Sequence, residues 1–105
     1  MKFLIILFSL TSLSTFSQVQ LLNESFQGGQ IPSSYTIVDN DTNDVAPQVA
    51  EYISPWIVVT DPDSASNYVA ASTSFFSSPG ASDQWLITPA LNLGTYGNFI
   101  SWNAK

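Results

Sequence analysis

Asp39, Asp41 and Asn43 place side-chain oxygens at alternate positions of the run Asp39-Asn40-Asp41-Thr42-Asn43-Asp44. That spacing lets a loop wrap a hard, oxygen-preferring cation such as calcium. The run departs from the EF-hand pattern at two places: Asp44 stands where the turn glycine belongs, and Ala50 where the bidentate glutamate belongs, with Glu51 one place late. Two readings follow. One is a solvated turn in which Asx side chains bond their own backbone. The other is a calcium site completed from elsewhere in the chain by Glu24 or Asp83. A second acidic turn, Asp61-Pro62-Asp63-Ser64, follows the apolar run from Trp56 to Val59 and reads as a chain reversal. Paired carboxylates can hydrolyse glycosides, but they must face each other across a cleft, which neighbours on one turn rarely do. No catalytic residue is assigned.

Composition removes several kinds of chemistry. The chain has no Cys and no His, so thiol nucleophiles, serine-histidine triads and ordinary zinc sites are excluded within it. From residue 18 onward it carries eight carboxylates against Lys105 alone, a net charge of −7. So few cations cannot neutralise phosphates, which argues against nucleic acid and anionic membrane as partners.

The N-terminus sets the expected compartment. Lys2 supplies a positive start, Phe3 to Leu13 an apolar stretch, and Thr15 and Ser17 small residues at a cleavage position. Residues 1–17 are predicted to be a signal peptide, with Gln18 the new N-terminus of a secreted or surface-exposed chain. A spanning helix needs about 20 predominantly apolar residues, and Ser9, Ser12 and Ser14 interrupt this run too early.

The elements that must position the acidic loop are short β-favouring runs between turn-forming clusters. The pattern predicts strands at Leu21–Phe26, Tyr35–Val38, Val49–Ile53, Trp56–Thr60, Tyr68–Ser72, Gln84–Thr88 and Asn98–Ala104, with little helix. Gly28-Gly29 with Pro32, the 39–44 loop, Pro55, Pro62 and Pro79-Gly80 break them. Trp56, Trp85 and Trp102 each lie in an apolar strand context, which predicts burial between sheets; an outward ring beside Tyr52 or Tyr68 would instead offer a sugar-stacking surface. Phe99 to Trp102 reads as core sequence close to the last residue. That, and a length at which a core without disulfides is marginal, leads us to expect residues 18–105 to be the N-terminal part of a longer β-sandwich domain.

Taken in order, Glu24-Ser25-Phe26, Ile31-Pro32, Tyr35-Thr36, the Asp39-Asn40-Asp41 loop, the run Asp83-Gln84-Trp85-Leu86-Ile87-Thr88-Pro89 with Leu91 and Leu93, and Phe99 to Trp102 resemble the cleaved adhesin family, also called choice-of-anchor J domains. The most specific part is Asp83 to Pro89. Where that family commonly has Gly-Trp before its second strand, this chain has Ser34-Tyr35. The resemblance implies an all-β, antiparallel sandwich of jelly-roll type, calcium-stabilised, in secreted bacterial surface proteins that adhere to host or matrix components. It implies Glu24, Asp39, Asp41, Asn43 and Asp83 as metal ligands. The function expected is that of a non-catalytic adhesin-type module binding an extracellular protein or glycan. The alternative is a carbohydrate-binding module accessory to a secreted hydrolase or protease.

Overall fold

The computed structural model describes residues 18–105; the predicted signal peptide at 1–17 lies outside the described residues. The described residues form a small all-β fold with two antiparallel two-stranded sheets. Its elements are β1 (Thr36–Asp39), one 3₁₀ turn (Pro47–Val49), β2 (Ile57–Asp61), β3 (Ser64–Ala71) and β4 (Gln84–Ile87).

The inner ribbon forms from the most β-prone stretch. Ile57, Val58, Val59 and Thr60 are all β-branched, so each loses little side-chain freedom when extended. They pair with Ala71, Ala70, Val69 and Tyr68. The reversal between them is encoded locally: Asp61 Oδ1 accepts the Asp63 N–H at 2.9 Å, an Asx turn, and Pro62 presets its own φ. The register shifts between Thr60 and Asp61, so the ladder ends in a bulge with Asp61 opposite Ser64.

The outer ribbon pairs Thr36 with Ile87, Ile37 with Leu86, Val38 with Trp85 and Asp39 with Gln84. Between the two ribbons sits the bridge Val45 to Phe76. The pairings are nested, with β1–β4 outermost, Val45–Phe76 next and β2–β3 innermost. The chain therefore runs out along one side, reverses at Asp61–Asp63, and returns along the other. The Ala46 N–H to Phe75 carbonyl and Ser77 N–H to Asp44 carbonyl bonds, both 2.9 Å, continue the ladder around the bridge.

Residues directly opposed across an antiparallel pair share a face. One face of the outer ribbon thus carries Val38 with Trp85 and Thr36 with Ile87; the other carries Ile37 with Leu86 and Asp39 with Gln84. Each apolar pair of this kind contributes roughly 0.2–1 kcal/mol. Among the described residues, Ala46 is the one buried hydrophobic side chain.

Three expected strands are absent, each for a local reason. At Leu21–Phe26, the Glu24 carboxylate accepts the Phe26 N–H, and Phe26 turns the chain with a φ of 59°. At Val49–Ile53, Pro47 opens a 3₁₀ turn, and the Val49 and Tyr52 amides bond backward to Ala46 and Val49. Amides spent locally cannot join a ladder. At Asn98–Ala104, no partner strand lies alongside among the described residues, and Asn98 bonds Gly94 through both its amide oxygen and nitrogen. The tryptophans differ from expectation too. Trp85 is 56 % and Trp102 76 % exposed, because nothing lies over their faces; Trp56 is half-buried, with its indole N–H unpaired.

Candidate functional site

The acidic loop leaves β1 at Asp39 and is held by its own side chains. Asp39 Oδ1 accepts the Thr42 N–H at 3.0 Å, which supports Thr42 at a φ of 52°. Asp41 Oδ1 accepts the Asn43 N–H at 2.8 Å, and its other oxygen accepts the Asp83 N–H at 2.6 Å. These two backbone donors, the Asp83 amide foremost, hold the Asp41 carboxyl below the usual aspartate range, because they favour its charged form.

Asp41 therefore acts as a clasp between the loop and Asp83, the residue just before β4. The clasp is reinforced on both sides. Asn40 N–H bonds the Asp83 carbonyl at 3.0 Å, and Asn43 Nδ2 donates to the Ala81 carbonyl at 3.0 Å. Gly80 leaves room for that amide: a Cβ there would lie 3.0 Å from both terminal atoms of Asn43. Asp83 in turn accepts the Trp85 indole N–H through Oδ1 at 2.7 Å. The chain of contacts runs from loop to strand to an outward indole.

Of the five residues expected to ligate calcium, Asp39, Asp41, Asn43 and Asp83 come together at this clasp. Glu24 engages elsewhere, with the Phe26 amide and near Tyr35, whose hydroxyl pKa is raised by burial and then by the Glu24 charge. Several of these donor atoms are already engaged within the chain: both Asp41 oxygens face backbone N–H groups, one Asp83 oxygen faces an indole N–H, and Asn43 donates its nitrogen to a carbonyl. Among the described residues no three carboxylates converge where a cation could sit. Beside the clasp lies an open cleft of about 330 Å³ lined by Asp39, Asn43, Asp44, Tyr52, Ile53 and Gln84. The Gln84 Oε1 atom is buried without a partner.

No protein-family model, curated protein or solved structure matches the chain.

Composition alone left a second polar centre unassigned. At the tip of the inner ribbon, Asp61 is 5 % exposed and its carboxylate is fully engaged. Oδ1 accepts Lys105 Nζ at 2.7 Å as well as the Asp63 amide, and Oδ2 accepts Asn67 Nδ2 at 2.8 Å. These donors, Lys105 first, lower its pKa to about 2. Lys105 also reaches Asp63 Oδ2 at 2.7 Å, and the two carboxylates raise the lysine's pKa. Gln27 Nε2 extends the network, donating to Asn67 Oδ1 at 2.8 Å and to the Tyr68 carbonyl at 3.2 Å. One sequence signal pointed here: Lys105 is the sole cation from residue 18 onward, so any side-chain ion pair must include it. No helix among the described residues is long and apolar enough to cross a membrane.

Proposed function

We propose that residues 18–105 belong to a non-catalytic adhesin-type β-sandwich module of jelly-roll kind, acting outside the cell and binding an extracellular protein or glycan. The observation that carries this proposal is the outward, oriented indole of Trp85. It is 56 % exposed, its N–H is fixed by Asp83, and Asp83 is fixed by Asp41. A rigid aromatic anchor loses little freedom on contact and so suits recognition. Leu93, Tyr96, Phe99 and Trp102, all more than half exposed, add apolar surface downstream of β4. Export rests on the predicted leader at 1–17. Calcium, which the resemblance implies, has no assembled shell here, so we assign the order of the loop to its hydrogen bonds.

The carbohydrate-binding alternative is favoured by the same residue. A flat exposed indole with a neighbouring carboxylate is the arrangement that stacks on a sugar ring and accepts its hydroxyls. The Asp83 oxygen not bonded to Trp85 is the available acceptor.

The test is binding of the chain to immobilised oligosaccharides and, separately, to immobilised collagen and fibronectin. Binding to either set should be lost in Trp85→Ala while the circular dichroism spectrum is retained. Capture by oligosaccharides alone selects the glycan reading. Binding that survives Trp85→Ala, or no binding to either set, overturns the proposal.

A further inference from the structure

We propose that Lys105 is a latch, its ammonium seated between Asp61 and Asp63, that fastens the segment returning from β4 to the tip of the β2–β3 ribbon. The topology makes this contact a long-range one. β4 ends at Ile87, paired with Thr36 at the outer end of the nested ladder, whereas Asp61 and Asp63 lie at the opposite, inner end. Residues 88–105 must therefore run back along the ribbons. Extended at about 3.3 Å per residue, they span roughly 60 Å. They bend at Thr95–Tyr96, where Asn98 bonds both the N–H and the carbonyl of Gly94 and Gly97 takes a φ of 69°.

The cradle is built, not incidental. Asp61 is oriented before the lysine arrives: the Asp63 N–H holds one oxygen and Asn67 the other, and Gln27 holds Asn67. A carboxylate buried this far is stable only when paired, and Lys105 is the sole cation from residue 18 onward that can pair it. Between that bend and the latch, Phe99, Ile100 and Trp102 are 85 %, 82 % and 76 % exposed, so apolar packing does not hold this stretch. The ion pairs do.

The titratable groups meeting at the latch are Asp61, Asp63 and Lys105; Tyr68 is the ionisable side chain of β3, and Asn67 and Gln27 are neutral. Asp61 stays charged until the pH falls to about 2. The latch is thus closed at neutral pH and opens in strong acid. It also weakens in high salt, since Lys105 is half-exposed.

The chain has no cysteine, so Ala65→Cys with Asn103→Cys places two spin labels at the tip and on the return segment without competing sites. Double electron–electron resonance should give a short-distance population at neutral pH. Lys105→Met should lose it and Lys105→Arg keep it. Asp63→Asn, at an exposed carboxylate that takes no part in the Asx turn its own N–H closes, should reduce it while the β-sheet circular dichroism is unchanged. Absence of the short population from the doubly labelled parent, its survival in Lys105→Met, or its indifference to Asp63→Asn overturns the latch.

Discussion

Replacing Lys105 with Met should move the titration of Asp61 from about 2 upward toward the ordinary value of 3.8. In the parent, three donors favour the carboxylate: Lys105 Nζ at 2.7 Å, Asn67 Nδ2 at 2.8 Å and the Asp63 N–H at 2.9 Å. Burial works against them by penalising the charged form. Lys105 is the largest of the causes, and removing it leaves two neutral donors opposing the same burial. An upward move of at least about one pH unit follows. Asn67→Ala removes a lesser cause and should give a smaller rise. A carboxylate whose folded pKa is depressed contributes stability that is present above its unfolded value, here near 3.8, and lost as pH falls through the folded value, here about 2. The acid transition of the inner ribbon should therefore begin at higher pH in Lys105→Met. At about 1 M salt, where the Debye length is near 3 Å, the parent's midpoint should rise part of the way and the variant's should hardly move. Carboxyl-detected ¹³C NMR titration reads all of this residue by residue. A midpoint that stays near 2 in Lys105→Met, or that moves farther in Asn67→Ala, would refute the assignment of the shift to the ion pair.

Asp41→Asn should loosen the clasp: hydrogen exchange of the Asp83 and Asn43 amides should accelerate about tenfold while the β2–β3 amides hold their rates, and unchanged exchange at Asp83 would remove Asp41 from that role. Because Asp41's pKa is depressed by those same amides, the protection they lend should fade in the parent only as pH falls below the ordinary aspartate range. Gly29→Ala should destabilise by about 1 kcal/mol in urea titration, since Gly29 sits at a φ of 76° with no atom within 4 Å of a new Cβ, leaving a pure backbone penalty. Gly28→Ala, equally unobstructed and without the positive φ, should change stability by less than about 0.5 kcal/mol. Millimolar calcium, compared with chelator, should leave the thermal transition where it is; a rise of several degrees would return the 39–44 loop to a metal and overturn its assignment to hydrogen bonds.

The residues that were legible from sequence are those whose structure is decided within a few positions of the chain. Ile57 to Thr60 extend because β-branching favours it, Asp61-Pro62-Asp63 reverse because an aspartate can bond the amide two residues on, and Asp39 to Asp44 curl by the same Asx chemistry. Local chemistry also misleads where it competes with itself: Leu21–Phe26 and Val49–Ile53 have strand-like composition, yet the Glu24 carboxylate in one and Pro47 in the other divert the amides a ladder would need. For the candidate site, the grouping of Asp39, Asp41, Asn43 and Asp83 could be anticipated, but the direction of their lone pairs and protons could not. Both Asp41 oxygens are turned to backbone amides 2 and 42 residues away.

By itself the sequence determined the exclusions and the turns: no thiol or imidazole chemistry, a strongly anionic surface, short strands, and reversals at Asp and Gly positions. Tertiary structure alone decided three further matters. It nested β1–β4 around β2–β3, left the Trp85 face uncovered, and brought Lys105 across 44 residues to Asp61. The physical reason is that alternation along a strand fixes which side chains share a face, while which face is covered, and where a lone cation finds its carboxylate, depends on segments far away in the chain.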